Sequence, residues 1–442
     1  MPAPPNPFSY FEQSPEGRGA GDHWLVRVPE RPGARFDLNL VPLSPTWRDD
    51  PASLQALTEI ERQPWADQAA RSREGVRLRL RDSWIETLGA CLQHGEVPEV
   101  ALSAFDQRPR FVVHACDGSP TGALELGDMR GLALSGALAG ALGEAGARVE
   151  RRTLIAAPEV GSAAERRGWL PERRATLERA GITSELVPES DFVRQAAELQ
   201  ARADALGQKL MPAQARALAY WEAAPGLQDK TSVCVCETQS GSHFVSADGL
   251  VDELIAVGER DPHPSHTVVY ERVFGGEQTL TPDAPALSID ELMDWLGARV
   301  EEVPHATELA SRVGGSQRLV RQLALGYFLP RPLLQRVDLF VEKLLRARES
   351  PGWDLARAYA ADASSGSSPR EPAADGDYRF AVVHAAQLGE RLGLALERRD
   401  PGPRARHSLG FARWSLQRER SDAVQRVIRS ALARELRVLG LQ

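Results

Sequence analysis

Residues Phe111 to Ile155 read FVVHACDGSPTGALELGDMRGLALSGALAGALGEAGARVERRTLI. An apolar run opens the stretch and a turn rich in glycine and proline follows. Leu134, Leu138, Leu142 and Ala145 then recur at helical spacing, Gly146 can end the helix, and Val149 to Ile155 turns strand-like. The pattern predicts a strand, a long amphipathic helix and a second strand, which is a βαβ unit. In nucleotide-binding folds of this kind, backbone N–H groups between the first strand and the helix receive a phosphate. Here that place belongs to Gly118, Ser119, Pro120, Thr121 and Gly122. Glu125 and Asp128 stand where the helix begins. Two carboxylates suit the positive end of a helix dipole, but they compete with any incoming anion.

Ser119-Pro120-Thr121-Gly122-Ala123-Leu124 is followed by Glu125-Leu126-Gly127-Asp128, then Arg130, then Glu144-Ala145-Gly146 ahead of a strand. In this order the stretch resembles, without a gap, the signature of the class I arginyl-tRNA synthetases, where Asn-Pro-Thr-Gly-Pro-Leu precedes a His-x-Gly-His tetrad. The resemblance implies an α/β Rossmann-like class I synthetase core, a C-terminal all-α bundle and a small N-terminal α+β module. It also implies that Ser119, Pro120, Thr121 and Gly122 bind nucleotide, that Glu125, Gly127 and Asp128 hold the positions of the catalytic tetrad, and that an active protein would use ATP and Mg²⁺. Both tetrad histidines are acids here. In the family they hold ATP phosphates and stabilise the charge that builds up as the adenylate forms. A carboxylate ~4 Å from a phosphate oxygen opposes it by roughly 4 kcal/mol at an effective dielectric near ~20. Each ~1.4 kcal/mol on a barrier is about tenfold in rate. Acids beside a phosphate could instead hold a metal ion.

Downstream, Val268 to Leu296 resembles the family segment that carries the Lys-Met-Ser-Lys loop. Anchoring on Ile289-Asp290-Glu291-Leu292 places Gln278-Thr279-Leu280-Thr281-Pro282 at the loop. No lysine occurs between Lys230 and Lys343, so this region supplies no ammonium for a pyrophosphate leaving group. The family's adenine-side Gly-Ala-Asp-His-His-Gly is reduced to Ala247-Asp248-Gly249, which makes Asp248 and Gly249 the remaining nucleotide-side candidates. Ala324-Leu325-Gly326-Tyr327 matches the segment where the family sets a tyrosine against the substrate guanidinium, so Tyr327 is the amino-acid-pocket candidate; the alternative is a core aromatic. Glu349-Ser350-Pro351 aligns with the following turn and puts Ala356 and Arg357 where the family has Gln and Tyr.

The chain has 442 residues, a formal charge of -8 and 42% hydrophobic residues, enough for several domains with cores of their own. No apolar run approaches the ~18 residues of a membrane span, and four cysteines do not read as a disulfide framework. These features predict a cytoplasmic protein with no membrane partner, and the family implies a monomer. Composition marks a flexible leader (1–22) and a Ser/Pro/Gly/Asp-rich linker (362–377), and the resemblance implies a diverged N-terminal additional domain (23–99), a Rossmann-like catalytic-type domain (108–300), a helical connection (301–361) and an anticodon-binding-like helical domain (378–442). At the end of the second segment, Val76 to Trp84 alternates like a strand and then enters a helix.

Residues 391–442 hold twelve arginines against five acids, a reversal of the overall charge. Arg413, Arg418, Arg420, Arg426, Arg429, Arg434 and Arg437 fall on or near two predicted helices, with Leu416, Val424, Val427, Ile428, Leu432, Leu436 and Leu439 supplying an apolar face. The segment resembles the family's anticodon-binding (DALR) domain, down to the closing Leu436-Arg437-Val438-Leu439-Gly440-Leu441. A basic helical face suits an RNA backbone, and tRNA or another structured RNA is the expected partner. The competing explanation is an ordinary solvated helix surface. Cys234-x-Cys236 with His243, or with His263 and His266, makes a poor metal set, and no metal site is expected. No Gly-x-Ser-x-Gly elbow occurs, and His114 reads as a packed strand residue. Two functions stay open: a protein of synthetase descent that is impaired in arginine activation and kept for RNA binding or a tRNA-dependent accessory role, and a divergent arginine-tRNA ligase, possibly acting on another amino acid.

Overall fold

The structure is a computed structural model that describes residues 8, 24–29, 36–72, 74–93, 109–116, 124–155, 163–188, 193–205, 231–237, 265–271, 273–275, 287–361, 376–417 and 420–442. The chain divides into two compact units.

The first unit comprises Met1–Ser103, Arg357–Leu394 and His407–Glu435. Its sheet is formed by β1 (Trp24–Arg27), β2 (Leu38–Pro42), β3 (Ala66–Ser72) and β4 (Gly75–Leu80), antiparallel in the order β1-β2-β4-β3. The expected alternation is present in β4, where Val76, Leu78 and Leu80 are buried and Arg77 is exposed. Gly75 turns the hairpin at φ +143, and a Cβ there would lie 2.1 Å from the Leu40 carbonyl oxygen. Helix α1 (Pro51–Glu61) starts at Asp50, whose side chain accepts from Ala52 N at 3.2 Å and Ser53 N at 3.1 Å. Helix α2 (Asp82–Gln93) buries Trp84, Ile85, Leu88 and Leu92.

The expected division between N-terminal module and C-terminal helices does not appear in this unit, because the head of a later helix (Gly376–Arg398, α10 below) is bonded into the module. Two consecutive residues, Tyr378 and Arg379, do this. Arg379 is 6% exposed, donates to Asp37 at 3.0 and 2.6 Å and to the Leu80 carbonyl at 2.7 Å, and pairs with Asp82. The Tyr378 hydroxyl accepts from Gln93 at 3.1 Å and fills the space where a Cβ on Gly89 would stand. Asp377 pairs with Arg420 at 2.6 Å. That helix begins at Gly376, so the last two residues of the expected linker are helical.

The second unit comprises Ala104–Ala356, Ala395–Arg406 and Leu436–Gln442. It is built on a five-stranded parallel sheet of β5 (Arg110–Cys116), β6 (Arg148–Ile155), β7 (Glu185–Pro188), β8 (Thr231–Glu237) and β9 (Ser265–Tyr270), in the order β7-β6-β5-β8-β9. The order reverses between β5 and β8, and in such sheets ligands bind at that switch, beyond the strands' C-terminal ends. Helix α3 (Leu126–Glu144) joins β5 to β6; α4 (Ala163–Arg179) and α5 (Val193–Ala205) follow. A short parallel pair joins β10 (Val273–Gly275) to β11 (Val337–Leu339). Helices α6 (Ile289–Glu302), α7 (Pro304–Val313), α8 (Ser316–Gly326) and α9 (Pro351–Ala360) come next, with a 3₁₀ turn at Val341–Leu345. The last helices are α10 (Gly376–Arg398), α11 (Gly402–Ser415) and α12 (Asp422–Val438).

Helix α3 corrects one expectation: it is not amphipathic. Burial runs around its whole circumference, including Met129, Arg130, Ala133, Leu134, Ala137, Leu138, Ala141 and Leu142. The reason is that chain segments outside the sheet also pack on it. A Cβ on Gly140 would lie 2.0 Å from the Val438 carbonyl oxygen, so helix backbone meets backbone there. The predicted stop is as expected: Gly146 has φ +88, and Ala147 N–H reaches the Leu142 carbonyl at 3.0 Å.

Candidate nucleotide and RNA sites

The first turn of α3 lies beyond the central strand β5, next to the switch in strand order. Glu125 is its N-cap, in extended conformation, and forms a capping box with Asp128, whose Oδ2 accepts the Glu125 N–H at 2.7 Å. Asp128 is 7% exposed and Glu125 is half-buried. The two acids therefore serve the helix end itself. Glu125 also forms an antiparallel bridge with Ser288, in which Leu126 N–H donates to the Leu287 carbonyl at 3.2 Å and Ile289 N–H to the Leu124 carbonyl at 2.8 Å.

Ser288 is the N-cap of α6 and has a capping box of its own. Its N–H and hydroxyl both donate to Glu291 Oε2 at 2.8 Å, while Glu291 N–H donates to the Ser288 hydroxyl at 3.2 Å. These bonds, the backbone one foremost, hold the Glu291 carboxyl below the usual range. Two positive helix ends thus meet at one place, each with a carboxylate from its own chain. The Ser288-x-x-Glu291 box was readable as a helix start, but its pairing with Glu125 needed the fold. Among the described residues no group of three His, Cys, Asp or Glu side chains is placed to hold a metal ion.

Below this turn Arg130 is fully buried and donates to the carbonyls of Glu271 (2.7 Å), Pro332 (2.8 Å), Gln335 (2.9 Å) and Leu333 (3.2 Å). The Tyr270 hydroxyl donates to the Gly127 carbonyl at 3.0 Å, and a Cβ on Gly131 would stand 2.6 Å from that hydroxyl. Arg130, Gly127 and Gly131 thereby fix α3 against the ends of β9 and β11. His114 on β5 is 1% exposed; burial, and then the charge of Arg152, lower its pKa to about 3, so it is a neutral core residue.

Ser119, Pro120, Thr121 and Gly122, the segment 278–282, and Asp248 and Gly249 lie outside the described residues. Tyr327 is 4% exposed, donates its hydroxyl to the Asp338 carbonyl at 3.2 Å and carries the Arg331 guanidinium 4.9 Å from its ring centroid. Burial raises its pKa.

Of the seven C-terminal arginines, Arg418 lies outside the described residues. Arg420, placed on the basic face by its spacing, is instead buried: it pairs with Asp377, donates to the Trp414 carbonyl at 2.8 Å and lies 4.1 Å from the Trp414 ring centroid. That is an internal ion pair with a cation–π contact, and the guanidinium is not presented to solvent. Arg413 and Arg434 are half-buried, while Arg426, Arg429 and Arg437 are exposed. Arg426 also donates to Gln93 at 3.3 Å, and Arg429 to the Ala361 carbonyl at 2.6 Å, just past the C-terminal end of α9. Arg426, Arg429, Arg434 and Arg437 share one side of α12 by helical spacing. The acid between them, Glu435, is buried and accepts from the Ser408 hydroxyl at 3.0 Å.

No protein-family model matches this sequence, and no curated protein matches it. Solved structures do. A Thermus thermophilus arginyl-tRNA synthetase superposes with a TM-score of 0.65 over 94% of this chain and 95% of that chain, at 17% identity. A Plasmodium falciparum arginyl-tRNA synthetase gives 0.64 over 95% and 93%, at 9% identity. The parallel Rossmann-type sheet and the helical C-terminal part are consistent with a class I synthetase core carrying a helical domain. More narrowly, the fold of this chain is that of the arginyl-tRNA synthetases, over nearly its whole length. No helix among the described residues is long and apolar enough to cross a membrane.

Proposed function

We propose that this protein is an arginyl-tRNA synthetase scaffold impaired or inactive in arginine activation, kept to bind tRNA or another structured RNA or to serve a tRNA-dependent accessory role. The cytoplasm is its proposed location and a monomer its proposed state. One observation carries the reading: at the helix end where this fold would meet a nucleotide, Asp128 already takes the Glu125 N–H and Glu125 completes the box. ATP phosphates do not fit these residues. They would meet the Glu125 and Asp128 carboxylates, with Glu291 capping the adjoining helix, where transition-state charge calls for positive groups. The RNA half of the proposal draws on the arginines along one side of α12 and on the burial of the intervening acid.

The test is amino-acid-dependent ATP–pyrophosphate exchange by the purified protein, with arginine and then the other amino acids, with and without total tRNA. The expected result is no exchange above background together with salt-dependent tRNA retention on a filter. Exchange that is lost in Glu125→Ala and Asp128→Ala would overturn the proposal and establish the divergent ligase in its place.

A further inference from the structure

Arg151 on β6 projects toward α3, where its guanidinium sits over Gly136, with Nη2 3.1 Å from where a Cβ would be. A side chain at position 136 would make it give way by a few tenths of an ångström. A guanidinium carries five N–H donors. Among the described residues, Arg151 has a single hydrogen bond, from Nη2 to the Leu132 carbonyl at 3.4 Å, and that carbonyl also accepts from the Ser135 hydroxyl at 3.0 Å. Among the described residues no carboxylate pairs with it. Its sheet neighbour Arg152 shows the contrast, being paired with Glu185 at 2.9 Å and Glu150 at 3.4 Å. Burial with no opposing charge lowers the Arg151 pKa to about 10, the opposite of what an ion pair would do. The residue is nonetheless half-buried rather than sealed.

A partly desolvated guanidinium with no opposite charge beside it is an available partner for an anion. We propose that Arg151 is the cationic group of a small-oxyanion site between β6 and α3, taking a phosphate or carboxylate group against the notch at Gly136. A planar guanidinium matches the two oxygens of either group. The site is distinct from the nucleotide end of α3, since Gly136 lies about 16 Å along the helix from Glu125 at ~1.5 Å per residue. Anions are repelled at that end and attracted at this one. The Gly440 turn borders the notch, with a would-be Cβ 3.7 Å from the Gly136 carbonyl carbon, so occupancy would brace the chain segment after α12 against α3.

The experiment is thermal unfolding of the full chain in buffer free of oxyanions, titrated separately with inorganic phosphate, sulfate, acetate and citrate. Wild type should show a saturable rise in midpoint with phosphate and sulfate, with the carboxylates, or with both; the arms identify the ligand group. Arg151→Met should lose that response while melting no lower than wild type without anion, because it removes an uncompensated charge and keeps the stem. Arg151→Lys should retain a weaker response. A wild-type midpoint indifferent to all four anions, or an Arg151→Met response equal to that of wild type, would overturn the proposal.

Discussion

Replacing Arg379 with methionine removes one member of a buried ion pair and leaves Asp37 behind. Such a change typically costs ~3–5 kcal/mol, because the surviving charge stays desolvated. The geometry selects the lower part of that range. Asp37 keeps one bond, from Leu80 N–H at 2.8 Å, and the Asp82 side chain is 59% exposed, so water can replace what it loses. The penalty then falls on Asp37, which is 8% exposed and loses two charge-assisted bonds, and on the Leu80 carbonyl. A loss of about 3 kcal/mol is expected for the first unit. Urea unfolding followed by tryptophan fluorescence measures it, and native-state hydrogen exchange should show the amides of β2 and β4 losing protection. A double-mutant cycle isolates the pair: Asp37→Asn with Arg379→Met should be much less harmful than the sum of the two single changes. A loss within ~0.5 kcal/mol of wild type, the range of ordinary surface substitutions, or strict additivity in the cycle, would refute the view that this pair holds the head of α10 to the N-terminal module.

Asp128→Ala should lower stability by about 1 kcal/mol through loss of the capping box, read as a drop in melting temperature; no change would mean the acid does not serve the helix end. Gly140→Ala would ordinarily stabilise a helix interior by about 1 kcal/mol. Here the new Cβ meets the Val438 carbonyl oxygen, so a net loss of ~1–3 kcal/mol is expected, and a higher melting temperature would disprove the close crossing. Gln322 is fully buried, and neither amide atom has a partner among the described residues. Gln322→Met should therefore stabilise the second unit by ~1–3 kcal/mol in chemical denaturation, and a destabilised variant would reveal a hidden partner. His114 has a folded pKa of about 3 against 6.5 unfolded, so the unfolded state binds its proton first as pH falls. Its contribution is complete above pH 6.5 and declines by about 1.4 kcal/mol per pH unit on the way down to the folded value. His114→Leu should flatten the stability profile across that window, and an unchanged slope would contradict the assignment.

Local signals in the chain carried the first level of structure. The β5-α3-β6 unit, the stop at Gly146 and the strand-to-helix passage from Val76 to Trp84 were legible, because periodicity and helix ends are written within a few residues. The acids at 125 and 128 were also legible as a conflict with phosphate binding. What they bond to was not, since four strands of the parallel sheet lie in sequence between Glu125 and its bridge partner Ser288.

Burial was decided by tertiary structure alone. Periodicity shows that α3 has an apolar side, yet it cannot show that Val438 arrives against its backbone at Gly140. Arg420 and Arg437 belong to the same arginine-rich pattern, but one is locked to Asp377 and Trp414 while the other faces solvent. Arg151 and Arg152 are neighbours on one strand, yet only Arg152 meets carboxylates, because successive strand residues face opposite sides of a sheet. A side chain's charge and size are fixed by its identity, whereas the dielectric around it and the partner opposite it come from segments far away in the chain. The sequence by itself therefore settled which groups this protein has and which elements carry them; only the folded arrangement settled which charges are neutralised, which are desolvated, and which are left to meet something else.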